Sequence, residues 1–345
     1  MSATEALSGA PAVAGGESPP AARAGVWRRL LRRRGSAFAL ALLGTVVLLA
    51  LLAPALPVPY YAALDPARHN LAPAVSVREA DPSALRQLES EHPFGAAVRE
   101  LAFGRAELSG ALGTDALGRD VLSRLLWGSR VSLLVGLIAS LVSVVIGVGW
   151  GLLAGYAGGR LDNVMMRIVD VLYSVPLLFV VILIVAVLRD MGPQLVRFGI
   201  DREVILYVVI GAISWLTMAQ IVRGQVLSLR ERDFVAAARA QGAGGGHIML
   251  RHILPNLWGL VVVYLTLTVP RVILFESFLS FLGLGVEPPG VSWGLLASEG
   301  LEQLTVISVA WWLVVFPGLA LALTLTALNA LGDSLRDALD PRLAV

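Results

Sequence analysis

The side chains with the capacity for chemistry are few and widely spaced. The four histidines, at 69, 92, 247 and 252, form no HExxH or comparable ligand pattern. His247 and His252 are five apart, which does not place two side chains on one face of an α-helix, so no metal site is expected. All 27 basic residues are arginine, and the chain has no cysteine. The missing lysine rules out a Walker A nucleotide site, a Schiff base and a serine-lysine dyad. The missing cysteine rules out disulfides, thiolate nucleophiles and zinc-thiolate centres. No histidine lies in an apolar run, which removes a serine-histidine hydrolase within the membrane. No catalytic residue and no cofactor are expected, and any use of ATP must fall to another chain. Two carboxylates beside apolar runs remain. Glu276, with Arg271 nearby, is either a helix-end acid at the headgroup level or a group facing an aqueous path. Asp170 has the same two readings, with Arg167 as partner.

The elements that must hold these groups are membrane spans. Of 345 residues 57% are apolar, with mean hydropathy +0.76, gathered in blocks of about twenty. The fold class is an all-α membrane protein of about six transmembrane helices. Residues 1–27, rich in Ala, Gly, Ser and Pro, bury too little surface to order and are expected to be a disordered tail. Arginines 28, 29, 32, 33 and 34 flank a first span over 37–57, too long for a signal-peptide core. Further spans are expected at Val131–Ala154, Val169–Leu188, Val204–Val222, Leu257–Phe275 and Val306–Leu328. With the first arginine cluster inside, residues 58–130 form an outer segment, 131–345 the five-helix core, and both termini are cytoplasmic. In the outer segment Val121, Leu122, Leu125 and Leu126 share one face, which suits a helix lying on the membrane surface. Trp311 and Trp312 suit packing or the interface. The net charge of +2 gives no reason to expect nucleic acid, and a bilayer accounts for the arginines beside the spans.

The longest inner segment, 223–256, contains DFVAAARAQGAGGGHIMLRHILPN. Alanines and Asp233 at its start predict a helix to Gln241, which Gly242 ends. HIMLRHI predicts a second short helix, after which Pro255 bends the chain into the next span. No Ser, Thr or Asp caps the second helix, so Gly245→Asp is expected to restore a cap. A loop of this length in a compact membrane protein is usually functional.

This segment resembles the EAA motif of ABC importer permeases: EAA, three residues, Gly, nine residues, then IxLP. Ala237 and Ala238 match the alanines, Gly242 the glycine, and Leu254 with Pro255 the ending. Ala236 stands in place of the acid and His252 in place of Ile. LGTDALGRDVLSRLLWGSRVSLLVG (112–136), ESFLSFLGLGVEPPGVSWG (276–294) and LGDSLRDALDPRL (331–343) resemble the dipeptide/oligopeptide/nickel permease family, in the subunit that carries GTDxxGRD. HPFG at 92–95 is separated from Thr114 by residues 96–113, an insertion relative to that pattern.

The resemblance implies a type I ABC importer transmembrane domain in the cell inner membrane, without enzymatic activity of its own. It implies a second permease subunit as a heterodimer partner, two ATPase subunits and an extracytoplasmic substrate-binding protein. Residues 237–250 would form the coupling element. The ATPase-facing residues it points to are Ala236, Ala237, Ala238, Arg239, Ala240, Gln241, Gly242, Ala243, His247, Leu254 and Pro255. Glu276, Ser277 and Ser280 are the candidates for a gate or translocation path. Peptides are the expected cargo, with nickel or other small solutes as the alternative. A secondary transporter is disfavoured because no predicted span has a charge near its middle and no inverted repeat is visible.

Overall fold

The computed structural model describes residues 34–190, 202–304 and 309–339. The tail at 1–27, arginines 28–33 and the end of the chain from 340 lie outside the described residues. In chain order the helices are α1 (Arg34–Leu52), α2 (Pro82–Glu91), α3 (Pro93–Phe103), α4 (Val121–Ala157), α5 (Gly159–Ser174), α6 (Leu177–Asp190), α7 (Arg202–Leu229), α8 (Asp233–Ala240), α9 (Gly245–Ile248), α10 (Leu254–Phe281), α11 (Trp293–Glu302) and α12 (Trp312–Leu339). A two-stranded antiparallel sheet joins β1 (Ser76–Glu79) to β2 (Ala106–Ser109), with Val77 opposite Leu108.

Among the described residues five helical segments, Arg34–Ala55, Val121–Ala157, Val204–Leu229, Gly245–Phe281 and Trp312–Leu339, are long and apolar enough to cross a membrane. A sixth span exists if α5 and α6, bent by 84°, count as one. The expected straight span at Val169–Leu188 is therefore corrected to a broken one. Pro176 causes the break: it disfavours helical geometry at the residue before it, and Val175 is extended at φ −86°, ψ 126°.

The predicted surface helix in the outer segment is also corrected. Val121 to Leu126 are the first turns of α4, a continuous helix of 37 residues. Val121, Arg124 and Trp127 are buried rather than laid on lipid. The helix continues because Asp120 caps it, accepting from the Ser123 N–H at 2.8 Å, and because the charge on Arg124 is matched by acids.

Close packing of α4 on α7 rests on glycines at 147, 151 and 155, one helical face. A Cβ at Gly151 would lie 2.5 Å from the Ala219 carbonyl oxygen, and one at Gly155 2.8 Å from Val226 Cβ. Asp162 of α5 receives both Nε and Nη2 of Arg223 on α7, at 2.5 and 2.6 Å. Asp170 and Arg167, expected to pair, are both exposed and form no ion pair with each other among the described residues. Outside the membrane, α3 turns Arg99 inward to Glu107 at 3.2 Å and leaves Phe94 and Leu101 84% and 91% exposed.

Candidate coupling surface and membrane cavity

α8 ends in a Schellman turn. Gly242, at φ +83°, donates to the Arg239 carbonyl at 2.9 Å, and the Ala243 N–H donates to the Ala238 carbonyl at 3.0 Å. α9 then starts at Gly245, so its N-cap is Gly244, extended at φ −69° and ψ 156° and without a side-chain cap. The expectation that Gly245→Asp would restore the cap is corrected: Gly245 is the first helical residue, where a Cβ would lie 3.0 Å from Tyr156 Cε1. Met249–Ile253 forms a π turn that leads directly into α10. Pro255 does not bend the chain. It lies in the first turn of α10, where a missing N–H leaves no bond unmade.

The π turn also overturns the reading of the two histidines. Its wider pitch brings residues five apart onto one side, and the His247 and His252 rings lie 5.7 Å apart, edge to face. No group of three or more His, Cys, Asp or Glu side chains suited to a metal is found among the described residues.

Both pieces are amphipathic in effect. Val235, Ala238, Ile248 and Ile253 are buried against Val222, Val226, Leu257 and Val261 of α7 and α10. Ala236, Ala237, Arg239, Ala240, Gln241, Gly242 and His247 are exposed, Ala243 and Leu254 are half-buried, and Pro255 is exposed. A shallow groove runs between Phe234 and Ala237 on one side and His247 and His252 on the other. Arg239 stacks 5.6 Å from the Tyr156 ring at the end of α4. Near the position where Ala236 replaces an acid, Asp233 and Glu231 are exposed, Glu231 paired with Arg230 at 3.0 Å.

Glu276 is 0% exposed, five residues from the Phe281 end of α10. Its Oε1 accepts from Ser280 Oγ at 2.7 Å and Ser292 Oγ at 2.8 Å, and Ser292 caps α11 by accepting from the Leu295 N–H at 3.1 Å. Ser277 is buried beside them, and a Cβ on Gly294 would come within 2.4 Å of its Cα. Glu276 thus fastens α11 onto α10 through Ser292, whereas the Ser280 and Ser277 hydroxyls bond within α10, to Glu276 and to the Ile273 carbonyl. The three candidate path residues do not line the cavity of about 360 Å³ that opens at the Ser174–Pro176 break between α5, α7 and α10. Arg271 does line it. Arg271 lies within the helical run Gly245–Phe281, ten residues from its Phe281 end.

Residues 147–345 match the family described as binding-protein-dependent transport system inner membrane component, and residues 23–73 match the N-terminal TM domain of oligopeptide transport permease C. Over 315 residues the chain is 42% identical to the oligopeptide transport system permease protein OppC of Escherichia coli K12, covering 91% of this chain and 89% of that one. Over 231 residues it is 48% identical to the dipeptide transport system permease protein DppC of Bacillus subtilis, covering 67% of this chain and 68% of that one. An OppC of Haemophilus influenzae is 49% identical over 230 residues, 67% of this chain and 70% of that protein. The chain belongs to the binding-protein-dependent permease family.

The permease is therefore a multi-pass inner membrane component rather than an enzyme, and its transport system includes a substrate-binding protein and an ATPase. Its GTDALGRD segment forms a charged knot at the opposite end of α4 from the coupling surface, about 50 Å away along the helix. Asp115 accepts from Arg119 Nε at 2.7 Å and from Arg124 Nη1 at 2.8 Å. Both arginines also reach Glu299 of α11, Arg119 at 3.2 Å. Trp312 Nε1 donates to the Thr114 carbonyl at 3.1 Å, a packing role for one of the two tryptophans, while Trp311 is 48% exposed. Sequence reasoning missed the knot's partner Glu299, the α4 glycines and Arg271. The GxxxGxxxG spacing at 147–155 carried a readable signal for the second, whereas nothing local marks Glu299.

Proposed function

We propose that this permease carries peptides inward through an ATP-driven importer, and that the α8–α9 hairpin, residues 237–250, is where an ATPase subunit docks. One observation carries the docking reading: the hairpin's apolar side is fixed to α7 and α10 by Val235, Ala238, Ile248 and Ile253, while a shallow groove lined by Phe234, Ala237, Gln241 and His247 stays open on the other side. A hairpin held this way moves with the spans, so closure of a pair of ATPases becomes rotation of helices instead of loop motion. Ala236 to Ala243, His247, Leu254 and Pro255 form or flank the contact, with Asp233 or Glu231 supplying the acid that position 236 lacks. On this reading the hairpin and both termini are cytoplasmic, a second permease subunit completes the path as a heterodimer, and two ATPases bind. The names of the relatives at 42% and 48% identity support peptides as cargo. Glu276, Ser277 and Ser280 make the end of α10 and α11 one gate unit: the Glu276 carboxylate accepts from Ser292 at the start of α11, and the two serines bond within α10 beside it.

The chain has no cysteine of its own, so single thiols report cleanly. Ala240→Cys, on the exposed side of α8, is expected to crosslink to the ATPase in membranes, whereas Val235→Cys, fully buried, is not. No crosslink from Ala240→Cys, or equal yield from both, would sink the docking reading.

A further inference from the structure

The cavity at the broken span contains a charge that the fold does not use. Its polar lining is Tyr173, Ser214, Thr217, Tyr264, Thr268 and Arg271. Most of these hydroxyls are occupied: Ser214 donates to the Ile210 carbonyl and Thr268 to the Tyr264 carbonyl, each at 2.7 Å, and Tyr173 and Thr217 bond each other at 2.6 Å. Arg271 is exposed and makes no hydrogen bond or ion pair among the described residues. Arg124 on α4 and Arg223 on α7, by contrast, each meet a carboxylate.

Depth makes this unusual. Arg271 is ten residues, about 15 Å, inside the Phe281 end of a helix long and apolar enough to cross a membrane. A guanidinium stays ionised there, and its charge is tolerated only where water or an anion faces it. The planar fork suits a carboxylate better than any other common anion except phosphate. A peptide crossing the membrane brings one carboxylate with it, at its C-terminus, and that group meets a desolvation cost at this depth.

We propose that Arg271 is a carboxylate-binding station on the translocation path, receiving the C-terminus of the passing peptide; this rests on the peptide-import reading above. A single guanidinium in a wet cavity binds weakly enough to release, as a path requires.

The test uses the complete transporter, with its partner subunits and binding protein, in proteoliposomes, and labelled alanine tripeptide as probe. Arg271→Cys is expected to lower ATP-dependent uptake about tenfold or more, the scale of one hydrogen bond to a charged group. A methanethiosulfonate that adds an ethylammonium restores most of the loss, and one that adds an ethylsulfonate does not. The tripeptide amide, which lacks the carboxylate, falls by less than about twofold in the same variant, the size left once no bond to a charged group is at stake. Equal rescue by both reagents, wild-type uptake in Arg271→Cys, or equal loss for both peptides overturns the inference. If Arg271→Cys fails to assemble, Arg271→Lys near wild type with Arg271→Gln strongly impaired supports it, and equal values overturn it. A wild-type transporter that carries no peptide overturns the peptide reading and this inference with it, whereas one that carries the tripeptide regardless of charge at 271 overturns this inference alone.

Discussion

Gly242 and Gly244 stand two residues apart in the coupling hairpin, and the structure assigns them different responses to substitution. Gly242 sits at φ +83°, a region that penalises a Cβ by about 1–2 kcal/mol. A Cβ there meets nothing within 4 Å, so no new contact offsets the strain. Replacing glycine also narrows the unfolded ensemble, a gain of about 0.4–1 kcal/mol. The net for Gly242→Ala is a loss of roughly 1 kcal/mol, or about a fivefold rise in local opening. Gly244 sits at φ −69°, ψ 156°, which any residue adopts, and a Cβ there also meets open space. Gly244→Ala gains about 0.4–1 kcal/mol through the unfolded state and gives up a comparable amount because alanine is a much poorer N-cap than glycine, so it is expected to be near neutral. Gly244→Asp adds a side-chain acceptor for the free N–H groups of α9 and is expected to be the most protected of the three. Hydrogen exchange of residues 238–250 in the assembled transporter, without nucleotide, reads these differences directly. Faster exchange in Gly242→Ala and slower exchange in Gly244→Asp are expected, with the peptide carried per ATP hydrolysed falling in the first and holding or rising in the second. The same sign of change in both variants would refute the reasoning, because it would mean that backbone conformation does not set the stiffness of the joint.

Asp115→Asn removes the carboxylate shared by Arg119 and Arg124 and leaves Arg124, 1% exposed, relying on Glu299; because that partner remains, the outer end of α4 loses less than the roughly 3–5 kcal/mol of a fully broken buried pair, read as a lower midpoint in detergent thermal unfolding. Gly151→Ala drives a Cβ to 2.5 Å from the Ala219 carbonyl and separates α4 from α7, a cost of about 1–3 kcal/mol in the same assay, whereas Gly149→Ala, with nothing within 4 Å, is expected to be silent. Burial against the Trp127 ring, and secondarily the charge of Arg130, hold the His92 pKa below its ordinary value. The unfolded chain therefore takes up the proton first as pH falls, so stability of the outer segment is complete above the usual histidine range and declines between that range and the depressed folded value. Protection at residues 82–103, taken relative to the intrinsic exchange rate at each pH, is expected to fall from pH 7 to pH 5 in the wild type, and to do so less in His92→Gln.

The sequence by itself determined what depends on composition and short spacing. Blocks of twenty apolar residues require spans whatever they pack against, because hydrocarbon leaves the backbone no outside partner. The absence of lysine and cysteine closed off whole classes of chemistry without reference to shape. Gly242 was legible as a helix end because only a residue lacking Cβ enters that conformation easily. Tertiary structure decided where one element ends and another answers it. Pro176 and Pro255 look alike in sequence, yet one breaks a span and the other starts a helix, since the effect depends on which turn the missing N–H falls in. His247 and His252 were placed apart by a 3.6-residue pitch and together by a π turn that no local signal announces. Glu276 and Arg271, five residues apart on α10, were treated as possible partners; the fold gives Glu276 two serine hydroxyls and leaves Arg271 facing a cavity. That division could not be read along the chain, because Ser292 comes from the neighbouring helix and the cavity exists only where a broken span stands away from its neighbours.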